Sequence, residues 1–128
     1  MGCSIRRVNI NDFDKGWLVG LIEGEGCFVL SEDKRRPGTY TVKIQVESTD
    51  HDVIFRLEKL LNGNVIESNY PSKFKAFPNA KDSWRWTVST KKQVAHVISL
   101  VYEHLSIRRK QQADRLIPYL VYKRKQNV

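Results

Sequence analysis

Apolar residues recur along this chain in two rhythms, one near every third or fourth position and one at every second. Trp17, Leu18, Val19, Leu21 and Ile22 follow the helical rhythm. Asn11 or Asp12 can cap that helix, and Asp14 falls in a first turn where the helix dipole favours negative charge. Residues 27–30 then read as a short strand, 33–38 as a turn through Pro37-Gly38, and 39–48 as a long strand. Within the long strand Tyr40, Val42, Ile44 and Val46 alternate with Thr41, Lys43, Gln45 and Glu47, which gives one buried and one wet face. Val53, Ile54, Leu57, Leu60 and Leu61 predict a second helix over 50–61, stopped by Asn62-Gly63.

The same order then repeats. A third strand is expected over 64–69, a loop over 71–82, and a fourth strand over 83–89, where Trp84, Trp86 and Val88 alternate with Arg85, Thr87 and Ser89. The two tryptophans therefore belong to the core side. Val94, Val97, Ile98, Val101 and Leu105 predict a third helix over 91–105, and Arg108-Arg109-Lys110 leads into a further helical stretch over 111–123, bent near Pro118. The pattern is α+β, with an open-faced antiparallel sheet.

A length of 128 residues with 41% hydrophobic content suits one domain with a real core. Lys plus Arg number 22 against 14 Asp plus Glu, so the net charge of +8 favours a polyanionic partner, nucleic acid ahead of a membrane surface. The positive charge is concentrated: six basic residues face one acid over 70–92, and seven face one over 104–125. No run of about 18 apolar residues exists, and MGCSIRRVNINDF has no apolar stretch to serve as a signal-peptide core. Cys3 and Cys27 are too few for a disulfide framework, and neither has zinc-ligand spacing with His51, His96 or His104. A reducing cytoplasm is the expected compartment, with no membrane partner.

The segment Gly16-Trp-Leu-Val-Gly20-Leu-Ile-Glu-Gly24-Glu-Gly26 contradicts its own periodicity. Gly16, Gly20 and Gly24 recur every four residues along one helix face, and each interior glycine costs about 0.8–1 kcal/mol relative to alanine. A bare stripe of that kind calls for a second helix packed against it. Glu23 and Glu25 also stand where the helix dipole disfavours negative charge, so something positive must compensate them. One reading supplies a divalent cation held by carboxylate and by carbonyl oxygens such as that of Gly24. The other is a helix that stops at glycines and leaves two glutamates in water.

The stretch GWLVGLIEGEGCF resembles the LAGLIDADG motif of homing endonucleases, glycine for glycine and acid for acid. The resemblance implies the family's αββαββα core, a saddle of antiparallel strands with helices on its convex side, here with an additional C-terminal helix. It also implies an endonuclease that works as a homodimer, since this chain carries one motif, on a long pseudo-palindromic site in double-stranded DNA. Dimer contacts fall to Gly16, Gly20, Leu21, Glu23 and Gly24. Glu25 takes the place of the family's ligand for Mg²⁺ (or Mn²⁺), beside Gly24. A basic residue that steadies the phosphate falls within Arg108-Arg109-Lys110, and a polar group that positions water falls at Ser48, where a glutamine is common, with Gln45 nearby.

On the polar sheet face, Ser31, Thr41, Lys43 and Gln45 of the first hairpin and Arg85 and Thr87 of the second are the candidate base readers. Arg85 can pair with guanine and Gln45 with adenine. Lys34, Arg35, Arg36, Lys73, Lys75 and Lys81, on loops, are suited to phosphates. An alternative reading is a relative that has lost cleavage and kept binding, as a DNA-binding regulator or as a maturase on intron RNA.

Overall fold

The computed structural model of the chain describes residues 10–68 and 83–120. Helix α1 (Asp12–Glu25) begins at Asn11, whose side chain accepts from the Asp14 N–H at 2.8 Å, so Asn11 and not Asp12 is the cap. Two strands follow, β1 (Gly26–Glu32) and β2 (Tyr40–Ser48), and then helix α2 (His51–Leu61). β3 (Asn64–Ser68) and β4 (Ser83–Val88) lead to helix α3 (Lys91–Val101) and helix α4 (Ile107–Leu116).

The four strands form one antiparallel sheet in the order β1-β2-β4-β3, so β1 and β3 are its edges. Register puts Phe28 opposite Ile44, Val46 opposite Trp86, and Trp86 opposite Val65. Those residues share the face that all four helices cover. Leu18 and Ile22 of α1, Ile54, Leu57 and Leu61 of α2, Val94, Val97, Ile98 and Val101 of α3, and Ala113 and Leu116 of α4 close over Phe28, Val42, Ile44, Val46, Trp86 and Val88 in one core. Among the described residues no buried side-chain polar atom lacks a partner, as a stable apolar core requires. No helix among them is long and apolar enough to cross a membrane.

Two tight places explain particular residues. The Trp86 indole N–H donates to the Asn62 carbonyl at 2.6 Å, and a Cβ on Gly63, whose φ is +99°, would lie 2.7 Å from that indole nitrogen. Only glycine fits both the backbone and the space there. Trp84, half-buried, meets the His51 ring edge-on at 4.3 Å and the Phe55 ring at a tilt at 6.0 Å.

The C-terminal part departs from the pattern expected of it. α3 ends at Val101 rather than near 105, and a 3₁₀ turn over Tyr102–His104 carries the chain so that Leu105 still reaches the core. Ser106 then caps α4, which starts four residues earlier than periodicity indicated and takes Arg108, Arg109 and Lys110 into its first turn. It stops at Leu116 and passes into a 3₁₀ turn over Ile117–Tyr119, because Pro118 lacks the N–H that a continued helix needs.

Candidate functional site

α1 ends with no basic residue in its last turn, yet its terminal carbonyls are not left to water. Arg109 reaches across from α4: its Nε donates to the Glu23 carbonyl at 2.8 Å, Nη1 to that of Gly26 at 2.7 Å, and Nη2 leans on that of Gly24 at 3.4 Å. Gln112 fixes the guanidinium from its own helix, its Oε1 accepting from Nη1 at 2.9 Å. The positive charge that this helix end calls for is therefore supplied by an arginine of the same chain. A guanidinium suits the task because its planar fork serves several carbonyls at once.

Glu23 is bound just as firmly. Its Oε1 accepts from the Ser106 N–H at 2.7 Å and its Oε2 from the Ser106 hydroxyl at 2.8 Å. These bonds, and after them the charges of Arg109 and Arg108, hold its carboxyl below the usual carboxylate range. The half-buried Glu23 thus ties α1 to the start of α4, a role beyond the dimer contact that the resemblance implied for it. Arg108 is exposed, and Lys110 holds its ammonium 5.7 Å from the ring centre of Tyr102. The Tyr102 hydroxyl donates to Asp114 at 2.7 Å.

Glu25, by contrast, is exposed at the tip of α1, next to the exposed Gly24. Gly26, which follows it, is buried, and a Cβ there would lie 2.6 Å from the Ile22 carbonyl, so the turn from α1 into β1 closes only with glycine. Along the same helix, a Cβ at Gly16, Gly20 or Gly24 would meet nothing within 4 Å. α1 buries Leu18 and Ile22, and α3 packs against it, whereas the glycine stripe is bare and Leu21 is half-buried. The second helix that the stripe calls for is not among the described residues of this chain.

Ser48 is drawn into local structure. Its Oγ accepts from the Asp50 N–H at 3.0 Å and shapes the turn into α2. Gln45 stands opposite Cys27 on β1 and opposite Thr87 on β4, on the open side of the sheet. Of the two polar groups considered for this end of the sheet, Gln45 is the one on the open face.

That face gathers the expected base readers. Ser31 pairs with Thr41, Lys43 lies two residues from each of Thr41 and Gln45, and Arg85 and Thr87 continue the surface on β4. Lys34, Arg35 and Arg36 are exposed on the turn between β1 and β2, where the Asp33 carboxylate accepts from the Arg35 N–H. Lys73, Lys75 and Lys81 lie outside the described residues. Further residues share the face, among them Cys27, Val29, Glu47, Asn64, Ile66 and Ser83. Glu47 follows from the alternation of β2 already noted, and the same alternation applied to β1 and β3 would have found Cys27, Val29, Asn64 and Ile66. No such signal shows that Arg85 rests on Glu47, with its Nε at 3.1 Å and its Nη2 at 2.9 Å from one carboxylate oxygen.

As a cation site, the end of α1 offers the exposed Glu25 carboxylate, a hard oxygen donor of the kind that Mg²⁺ takes, beside a Gly24 carbonyl whose one lone pair faces Arg109 at 3.4 Å and whose other is left over. Among the described residues no three His, Cys, Asp or Glu side chains gather into a complete site. These donors would fit such an ion as only a part of its shell.

A family model described as LAGLIDADG endonuclease matches residues 18–114. A search of curated proteins found no match. Among solved structures, the homing endonuclease I-CvuI, in complex with its target in the presence of Ca, is similar with a TM-score of 0.65 at 16% identity, covering 84% of this chain and 66% of that one. The group I intron-encoded homing endonuclease I-CeuI, complexed with DNA, gives 0.66 at 12% identity over 88% of this chain and 56% of its own. The archaeal intron-encoded homing endonuclease I-Vdi141I, also complexed with DNA, gives 0.60 at 15% identity over 84% and 70%. The chain spans less than two thirds of the length of I-CvuI and I-CeuI, and at these identities the likeness is one of fold. The family match runs from Leu18 in α1, through the whole sheet, to Asp114 in α4, and by it the chain belongs to the LAGLIDADG endonuclease family.

Proposed function

We propose that two copies of this chain pair through the glycine stripe of α1 and act as a homing-type DNA endonuclease, cutting a long pseudo-palindromic double-stranded site. The observation that carries this reading is the tip of α1, where the exposed Glu25 adjoins a helix face on which Cβ atoms at Gly16, Gly20 and Gly24 would meet nothing. Packing two such stripes together brings the two helix tips, and with them two Glu25 carboxylates, to one place. The open sheet face of each copy then lies along one half of the site, with Lys43, Gln45, Arg85 and Thr87 toward base edges and Lys34, Arg35 and Arg36 toward phosphates. The DNA complexes of I-CvuI, I-CeuI and I-Vdi141I support DNA as the partner.

A bound Mg²⁺ or Mn²⁺ supplies the Lewis acidity that makes water a nucleophile near neutral pH. The protein's own part is to aim Glu25: the Arg109 fork fixes the carbonyls of Glu23 and Gly26 on either side of it, and Glu23 locks the helix tip to α4. On this reading Gln45, on the open face, orients water or a base, and the exposed Arg108 meets a phosphate.

The test is capture of cleaved ends from a randomised pseudo-palindromic duplex library in Mg²⁺, beside the same library in Ca²⁺ and beside Glu25→Gln. One enriched motif at the cut ends, lost with Glu25→Gln while binding persists, is the expected result. Loss of binding together with cleavage overturns Glu25 as a metal ligand. A second reading, a cleavage-silent binder of DNA or intron RNA, is favoured by the engagement of Ser48 and Arg109 inside the fold. Motif enrichment without cut ends would decide for it.

A further inference from the structure

We propose that Glu47 holds the guanidinium of Arg85 as a guanine reader on the open sheet face, so that each copy of the chain requires one G·C pair in its half of the DNA site. The inference rests on the reading that this face binds double-stranded DNA, and it adds a specificity-determining residue and the residue that positions it. Glu47 on β2 and Arg85 on β4 are directly paired across the strands. The contact is made by one edge of the guanidinium: Nε and Nη2 both donate to the Glu47 Oε1, at 3.1 and 2.9 Å. The other carboxylate oxygen is turned toward Ser83, whose hydroxyl lies at 3.3 Å. A guanidinium carries five N–H groups in a fixed plane, so the opposite edge, Nη1 with the outer N–H of Nη2, is left over. It makes no hydrogen bond among the described residues. Two parallel N–H groups on one edge are what the O6 and N7 of guanine accept in the major groove.

Neither stability nor charge accounts for the pair. Both side chains are nearly half exposed, at 45% and 47%, where an ion pair adds little to folding. Glu47 is also the one acid on the open face among the described residues, and a carboxylate on a surface that meets phosphates opposes binding unless it does something else. Holding a long, rotamer-rich arginine in one pose before DNA arrives is such a role, because the ordering cost is then already met in the free chain. On its far side Arg85 is paired with Ile66 of β3, which is 55% exposed.

The test enriches randomised duplexes bound by the full chain in Ca²⁺ and compares wild type with Arg85→Ala, Glu47→Ala, Glu47→Gln and the double alanine variant. Wild type is expected to fix one G·C pair in each half-site. Arg85→Ala should lower the preference at that position alone by roughly ten- to a hundred-fold. Glu47→Ala should lower it at the same position by a smaller factor, Glu47→Gln should restore part of the loss, and the double variant should match Arg85→Ala. A motif unchanged by Arg85→Ala overturns the proposal, as does a Glu47→Ala variant that binds every sequence more tightly without relaxing that position. If wild type enriches no motif at all, the reading of this face as a DNA reader falls, and the proposal falls with it.

Discussion

Replacing Arg109 by methionine keeps an unbranched apolar stem in α4 and removes the fork that ends α1. The fork makes two short bonds to carbonyls, at 2.8 and 2.7 Å, and a longer one at 3.4 Å. A hydrogen bond to a charged group contributes about 1.5–3 kcal/mol, and a cation at a partly buried helix C-terminus up to about 2 kcal/mol. These do not add, because one half-buried guanidinium makes them all and the freed carbonyls can turn partly to water. The expected loss is about 2–4 kcal/mol, which for a chain of this size lowers the melting temperature by roughly 8–16 °C. Arg109→Lys keeps the charge without the planar fork and should recover no more than about half of it. Arg108→Met, at an exposed neighbour, should stay within about 0.5 kcal/mol of wild type. Thermal and urea unfolding followed by circular dichroism measures all three. An Arg109→Met protein that melts with wild type but no longer cuts DNA would refute the reasoning, since its guanidinium would then serve the phosphate and not the helix end.

Two further predictions concern the same helix. The Ser106 bonds hold the Glu23 carboxyl below its ordinary value near 4.5, so its stabilising share is complete above that value in the unfolded chain and is lost as pH falls through the lower folded value. Between about pH 6 and about pH 3 wild type should therefore lose stability more steeply than Glu23→Gln, and parallel urea midpoints would contradict this. At Gly20 the new Cβ meets nothing in the single chain, so Gly20→Leu should leave the fold intact and raise helix stability by up to about 1 kcal/mol. The same variant should abolish the dimer in sedimentation, and a dimer that survives would rule out the glycine stripe as its interface.

The elements were legible wherever the deciding contacts lie within a few residues of one another. Alternation in β2 assigned Val42, Ile44 and Val46 to the core, and each is buried. Asn62-Gly63 marked the end of α2, and both residues have the positive φ that ends a helix. The start of α4 was missed although its signal was present: Ser106 is a good cap, but a run of three basic residues reads equally well as a solvated connection. Nor could periodicity set the strand order β1-β2-β4-β3, because any of several neighbours satisfies the same alternation.

At the site the division is sharper. The sequence by itself determined the motif helix, its glycine stripe, the exposed acid Glu25 and the polar sheet face, since each follows from the spacing of residues on one helix or strand. It also showed that the helix end needs positive charge, but not where that charge comes from. Only the tertiary structure decided that Arg109 provides it, that Glu23 belongs to Ser106, that the Ser48 hydroxyl is used within a turn and that Arg85 rests on Glu47. The Arg109 and Arg85 contacts join side chains 86 and 38 residues from their partners. Local periodicity is blind to such pairs, because they exist only once the apolar faces have packed and fixed which element ends meet.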